Sequence, residues 1–405
     1  MNLPSLTYLE RYRNEGTRTY SPHAAYTEAD GKYRPNSPHR RFEMAIFEMP
    51  RHRMTVYIAN PHRDLASTYL GASHVQFCIH PQVIEGLPDD PYVRQTLSLC
   101  TAHRTIPVVP SSSTRAVFAA ETNRPHAIKV HFPFRISRYS RKMRDEVVEQ
   151  AVNVSRELEN GIHRLDDRFA FLREVIGVVH DNQRPKDPRG ENWGYLVRDM
   201  TPFPHVGEAR RLIPGFALYG KDYFDPGKPL LLFDLIGDSD PVVFILDNIM
   251  LPIIRHWAAC FLNFGYLIEP HGQNVLFEVD RSGAISRIVH RDLSVGIDMR
   301  RRRDIGLSDK GLNHYNRMEH HAFHSITYDR FMGGHFFDRL VSACRVKYSK
   351  LAKADFTEPC REEFSRIMPE HTKYFPETVW YFSEKRDRFN KPLYRDTGAA
   401  PEWRP

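Results

Sequence analysis

Carboxylate and amide side chains crowd into two short stretches past the middle of the chain, Glu269-Pro-His271-Gly-Gln273-Asn274 and His290-Arg-Asp292. Their oxygens are hard ligands that suit Mg²⁺, an ion that proteins hold with one or two carboxylates plus the phosphate oxygens of a nucleotide. Glu269, Asn274 and Asp292 are therefore candidate magnesium ligands, and His271 and Gln273 are left to meet phosphate or substrate. The residues between the stretches bring them together: 275–279 has strand composition, Asp280-Arg-Ser-Gly283 reads as a turn, and 284–289 returns. Both polar stretches then lie at one end of a hairpin. Capping and turn duty at a hairpin end is the structural alternative for the same residues.

A second cluster lies upstream. Pro110-Ser111-Ser-Ser113-Thr-Arg115 is a hydroxyl-rich loop ending in a cation, followed by the apolar strand 116–120. Hydroxyls, loop N–H groups and a guanidinium can cradle phosphate. In His126-Ala-Ile-Lys129-Val-His-Phe-Pro-Phe134, Ile128, Val130, Phe132 and Phe134 alternate with Lys129 and His131, the period of a half-buried strand that leaves Lys129 on its polar face. Arg135, Arg138 and Arg141 follow it. As a run of cations they are equally a solvated loop.

Taken together, these segments resemble the NRPS-independent siderophore synthetases of the aerobactin-synthetase type. The resemblance rests on Ser111-Ser-Ser113-Thr-Arg115, on Lys129 with Arg141 beyond it, on Glu269-Pro-His271-Gly-Gln273-Asn274 and on the late Asp292, in that order, with Ile79-His80-Pro81-Gln82 as a shorter upstream match. It spans 75–400 and departs from the family at Ala116, where a Thr is usual, and in the absence of a Gly-His-Pro-x-His-Pro element before residue 75. What it implies is an ATP-dependent carboxylate–amine ligase, an enzyme that adenylates a citrate-like or other small polycarboxylic acid and condenses it with an amine, hydroxylamine or alcohol. ATP would then be held by Ser111, Ser113, Arg115, Lys129, Arg141, Glu269, His271, Gln273, Asn274 and Asp292, with Mg²⁺ on Glu269, Asn274 and Asp292. Arg115, Lys129 and Arg141 would neutralise charge at the α-phosphate, and His271 would donate to the α-phosphate or to the acid's carboxylate. Arg135 and Arg138 are the residues expected to pair with the acid, since guanidinium–carboxylate pairing is bidentate.

The elements that must position these groups suggest an α+β fold, multi-lobed in a thumb, fingers and palm manner. An antiparallel sheet lobe precedes a C-terminal α/β-helical lobe, with the nucleotide between them. The expected divisions are a reduced N-terminal lobe or arm over 1–74, a β-rich fingers-like lobe over 75–230 and a palm-like lobe over 231–405. Strands are expected at 42–58, 74–79 and 230–235, helices at 144–160 and 247–264, and mainly helix after the hairpin.

Composition suits this reading. The 405 residues are 41% hydrophobic and 26% charged, enough for two or three lobes with a real core. A formal charge of +7 favours polyanionic ligands, nucleotide and polycarboxylate as much as nucleic acid, but no nucleic-acid module is recognisable. Five scattered cysteines without a Cys-x-x-Cys pair suggest a reducing cytoplasm. The most apolar region, 241–268, is interrupted by Asp247, Asn248, Arg255 and His256, so no membrane span is expected. A homodimer is compatible with all of this. Arg300 to Arg303 and the trio His320, His321 and His324 read more readily as a solvated face and as helix residues than as a phosphate grip or a metal site. Two other functions fit part of the pattern. A small-molecule kinase also uses Asn and Asp on magnesium, although it needs an Asp base where Gly272 and Gln273 stand. A non-catalytic polyanion-binding protein would explain the charge alone.

Overall fold

Alternating and wholly apolar strands from the first half of the chain pair into one eight-stranded sheet. Its order is Met54–Ile58, Glu174–His180, Gly194–Asp199, His126–Val130, Ala116–Ala119, Ala102–Pro110, Phe42–Pro50, His74–Ile79, and every pairing is antiparallel. The computed structural model describes residues 3–14, 26–136, 139–181, 193–207, 210–312, 317–318, 321–386 and 392–405. The sheet curls, so that Tyr195 on one central strand donates its hydroxyl to the Gln76 carbonyl on the edge strand. Ile46, Phe77, Ile128, Val178 and Val197 fill the inside of the curl and are fully buried, each worth about 1.5–3 kcal/mol in removal from water.

The expected boundary at residue 74 runs through this sheet, because Phe42–Pro50 and Met54–Ile58 are two of its members. Their partners lie far along the chain, at Ala102–Pro110 and Glu174–His180. No local pattern announces such pairing.

Helix Asp145–Asn160 covers one face of the sheet. Asp145 and Glu146 sit in its first turn, where carboxylates oppose the helix dipole, and Val148, Ala151, Val152, Val154 and Leu158 form the buried stripe. It can lie close because strand residue 177 is glycine: a Cβ there would stand 2.3 Å from Val148 Cγ1.

The second half is built around the helical run Pro241–Ile245, Leu246–Met250, Leu251–Phe264, whose middle segment is a π-type turn. By length and composition this run would pass as a membrane span, but its Ile249, Ile253, Ile254, Trp257 and Phe261 face are fully buried in the largest core. Gly265, at φ +67°, ends it in the left-handed conformation. Against this core lies a four-stranded sheet ordered Arg211–Pro214, Val275–Val279, Ile285–His290, Phe169–Phe171. The expected hairpin is thus its central pair, with Val275 opposite His290.

Three local expectations are corrected. Residues 231–236 form a helix, Leu231–Ile236, burying Leu231, Leu232, Leu235 and Ile236; a short apolar run carries no period that separates strand from helix. The alternating stretch after Lys129 breaks at His131: His126–Val130 stays in the large sheet, while Phe132–Ile136 leaves to pair with Tyr139–Arg141. Finally, the C-terminal part is not mainly helix to its end, since Trp380–Arg386 and Pro392–Asp396 form a hairpin.

Candidate active site

The serine-rich loop is the tight connection between the paired strands Ala102–Pro110 and Ala116–Ala119. Its hydroxyls shape it first: Ser113 N–H donates to Ser111 Oγ (3.2 Å), Ala116 N–H to Ser113 Oγ (3.2 Å), and the two hydroxyls share a bond of 3.0 Å. Thr114 takes φ +65°, a left-handed setting unusual for a β-branched residue. Across the cleft, Asp292 takes φ +70° two residues after the hairpin's return strand. Strained non-glycine backbone of this kind concentrates at functional sites.

These two loops face each other over one cleft. Its lining includes Ser111, Ser113, Arg115, Lys129, Arg141, Gln273, Asn274 and Asp292, and its empty volume, open mouth included, is about 820 Å³. A neighbouring hollow shares Arg115, Lys129, Arg141 and Asp292 and adds Glu269, Ser140, Lys142 and Ser294. Nine of the predicted residues therefore converge on one region from both sheets. Register explains much of this: Ala116 sits opposite Lys129, and Phe132 opposite Arg141, so the small hairpin after His131 folds Arg141 back beside the lysine strand.

Charge is concentrated there. Lys129, 4% exposed, donates to Asp292 Oδ1 at 2.7 Å. Burial pushes the Lys129 ammonium below its ordinary pKa despite Asp292. Burial would raise the Asp292 carboxyl, but Lys129, Arg198 and Arg115 hold it far below the usual carboxylate range. Burial and then the Asp292 charge push Glu269 up to about 8. Arg115 is brought down to about 10 by burial and by Arg141. His271 is depressed to about 4, mainly by burial, and is neutral at physiological pH. Its Nδ1 accepts from the Gln273 N–H at 3.2 Å, which leaves the ring proton on Nε2. Its ring packs edge-on against Phe331 of the π-type helix Ile326–Phe337.

Two carboxylates and one amide are the donor set a nucleotide-borne Mg²⁺ needs, and too few for an ion held by protein alone. Among the described residues no cluster of three or more His, Cys, Asp or Glu side chains could hold a metal. His320 lies outside the described residues, and His324 instead pairs with Asp298 at 2.7 Å. The arginine run is also accounted for in part. Arg301 donates to the Leu262 carbonyl and Arg302 to that of Phe264, satisfying the end of the core helix.

Of the two residues expected to bind the acid, only Arg135 is described. Arg138 lies outside the described residues. Arg135 lines neither hollow; its guanidinium lies over the Tyr26 ring at 4.7 Å and its N–H donates to Glu28. His80 and Gln82 are also away from the cleft, His80 capping helix Pro81–Gly86 and Gln82 holding the backbone of Glu28 and Asp30.

Sequence reasoning missed three contributors. Arg198 reaches the cleft from near the end of strand Gly194–Asp199, paired across strands with buried Glu174 at 2.5 Å. Opposite charges in two mostly apolar strands were the available signal. Arg291 lines the cleft between two residues already marked, and holds the Gln273 carbonyl at 2.7 Å. The floor is apolar: Phe118, Ala127 and Met200 line the cleft and belong to the small core between the two sheets. It could receive a base.

Known proteins share the fold that carries this cleft. Residues 39–220 match the IucA / IucC family model. No curated protein matches the sequence. The petrobactin biosynthesis protein AsbB of Bacillus anthracis str. Sterne superposes with a TM-score of 0.73 at 14% identity, covering 99% of this chain and 75% of that one. ATP-bound aerobactin synthetase IucA from a hypervirulent pathotype of Klebsiella pneumoniae gives 0.67 at 13% identity over 94% and 73%. Aerobactin synthetase IucC from the same source gives 0.62 at 12% identity over 90% and 69%. These likenesses extend the shared fold to the hairpin and helices beyond residues 39–220, the part of the chain that matches the IucA / IucC family model.

Proposed function

We propose that this chain is an ATP-dependent ligase of the siderophore-synthetase kind, which activates a small carboxylic acid as its adenylate and passes the acyl group to an amine, hydroxylamine or alcohol. The observation that carries the reading is the convergence of Ser111, Ser113, Arg115, Lys129, Arg141, Gln273, Asn274 and Asp292 on one cleft with an apolar floor. The ATP-bound structure of IucA, which shares this fold, supports the nucleotide.

In the first step a carboxylate oxygen of the acid attacks the α-phosphorus of ATP, and the bond to the bridging oxygen breaks with departure of pyrophosphate. Negative charge grows on the α-phosphoryl oxygens. Arg115, Lys129 and Arg141, which line the cleft, would meet that charge with little reorganisation, the usual source of the largest catalytic term. The Nε2–H of neutral His271 donates to the same oxygens. Serine-loop hydroxyls and N–H groups orient the phosphate chain. A magnesium ion bound with the nucleotide, on Asp292, Asn274 and Glu269, would neutralise charge on the phosphates. In the second step the nucleophile attacks the acyl carbon and AMP leaves.

The acid is a small polycarboxylate such as citrate, received in the hollow beside the α-phosphate. With Arg135 turned to Tyr26, its partners there are Arg141 and Lys142. A soluble enzyme of the cytoplasm, working on small molecules and not on nucleic acid, is the setting this chemistry requires. The test is a panel of acids assayed by pyrophosphate release with Mg²⁺, ATP and hydroxylamine as surrogate nucleophile. Di- and tricarboxylates should release pyrophosphate. Activation of monocarboxylic amino acids alone would refute the polycarboxylate reading, and ADP together with a stable phosphorylated product would establish a kinase.

A further inference from the structure

The N-terminal helix Leu6–Tyr12 lies far in sequence from both motif loops, yet it places a fully buried carboxylate, Glu10, between them. Glu10 Oε2 accepts the backbone N–H of Ser112 at 3.0 Å, and Oε1 is ion-paired with Arg291 Nη1 at 2.6 Å. Arg291 in turn donates from Nε to the Gln273 carbonyl (2.7 Å), and Gln273 Nε2 donates back to Ser112 Oγ (3.3 Å). The contacts close a ring of four residues. Ser112, Gln273 and Arg291 all line the cleft.

A buried carboxylate carries a large desolvation cost and is retained only when charge and hydrogen bonds compensate it. The chain invests further in holding this one in place. Arg11 donates to the carbonyls of Pro35, Ser37, His39 and Arg40, all at 2.8 Å, anchoring the helix to the first half of the molecule. Tyr8 and Arg13 bind Asp222, and Leu9 enters the main core, anchoring it to the second. The serine loop and the His271 loop come from different sheets and share no backbone bond in this ring. Glu10 is the charge that ties them.

We propose that Glu10 is a positioning residue for nucleotide binding: through Ser112 and Arg291 it sets the separation and orientation of the two loops that grip the phosphates. The proposal rests on the nucleotide reading above. Its consequence is that an N-terminal helix outside the family match, which begins at residue 39, is part of the active site's framework.

The test uses the full chain and the variants Glu10→Gln, Glu10→Ala, Arg291→Gln and the Glu10→Gln/Arg291→Gln double, below the lowest melting temperature among them. Affinity for a non-hydrolysable ATP analogue with Mg²⁺ is measured by calorimetry, and amide exchange at Ser112, Gln273 and Asn274 is followed without nucleotide. Glu10→Ala should weaken the analogue about 10- to 100-fold, the scale of a misplacement near 1 Å, and speed exchange in both loops. Glu10→Gln keeps an acceptor for Ser112 but loses the charge for Arg291, and should fall between. The Gln double should be no worse than the more affected single, because both act on one link. Unchanged affinity in Glu10→Ala, unchanged exchange in either loop, or additive losses in the double would overturn the proposal. If the wild-type chain fails to bind the analogue, the nucleotide reading fails, and the exchange data alone decide whether Glu10 joins the loops.

Discussion

Asp292 combines a strained backbone, a short bond to a buried lysine and a place beside Asn274, so its substitution must be chosen to separate these effects. Asn tolerates the left-handed region as Asp does, which makes Asp292→Asn a test of charge with little change in shape. It should weaken Mg·ATP binding by at least about 10-fold in calorimetry at saturating magnesium; equal affinity would contradict a ligand role. His271→Ala should behave differently, since its donor matters as charge develops. We expect turnover to fall on the order of 10²-fold while nucleotide affinity stays within about threefold, and parallel losses in both would contradict that division. Asp292, His271, Lys129 and the serine loop were legible because each sits in a contiguous run whose composition is chemical. Glu10 and Arg198 were not, because their meaning comes from partners 102 residues away at Ser112 and 24 away at Glu174.

At the scale of elements, the His271 loop is seated by glycine. A Cβ on Gly272 would stand 2.4 Å from the Tyr219 hydroxyl and 3.0 Å from the Phe216 nitrogen, which itself donates to the Gly272 carbonyl at 2.9 Å. Gly272→Ala must therefore push the loop off helix Gly215–Tyr219, and we expect nucleotide affinity to fall about 10- to 100-fold with the melting temperature reduced. Wild-type affinity in this variant would show that the loop adjusts freely. The Val275–His290 hairpin and helix Asp145–Asn160 were readable from alternation and helical spacing. The Leu231–Ile236 helix and the break at His131 were not. A run of apolar residues fits either period, and a strand that changes sheets midway keeps its alternation throughout.

Across the whole molecule, histidines are built in as neutral core residues. Burial takes His80 down to about 3 and His180 to about 4, and depresses His131 and His256 as well. In the unfolded chain they titrate near 6.5, so the unfolded state takes up protons first as the pH falls. Folding stability is then complete above about 6.5 and is lost downward through the window between that value and the folded ones, at up to ~1.4 kcal/mol per pH unit for each histidine. Urea unfolding at pH 7.5, 6.5 and 5.5 at fixed ionic strength should show a clear loss at the lowest pH, and a flat profile would contradict neutral burial. The arrangement of two sheets over one cleft was legible only as an expectation that the motifs meet. The membership of residues 42–58 in the large sheet depended on pairings no sequence period contains. What joins these scales is the claim that the cleft transfers an adenylyl group to a carboxylate. The most direct measurement supplies an acid labelled with oxygen-18 in its carboxylates, together with ATP, Mg²⁺ and hydroxylamine, and analyses the products by mass spectrometry. The account predicts AMP carrying one labelled oxygen beside unlabelled pyrophosphate, whereas ADP with the label in inorganic phosphate, or unlabelled AMP, would contradict it.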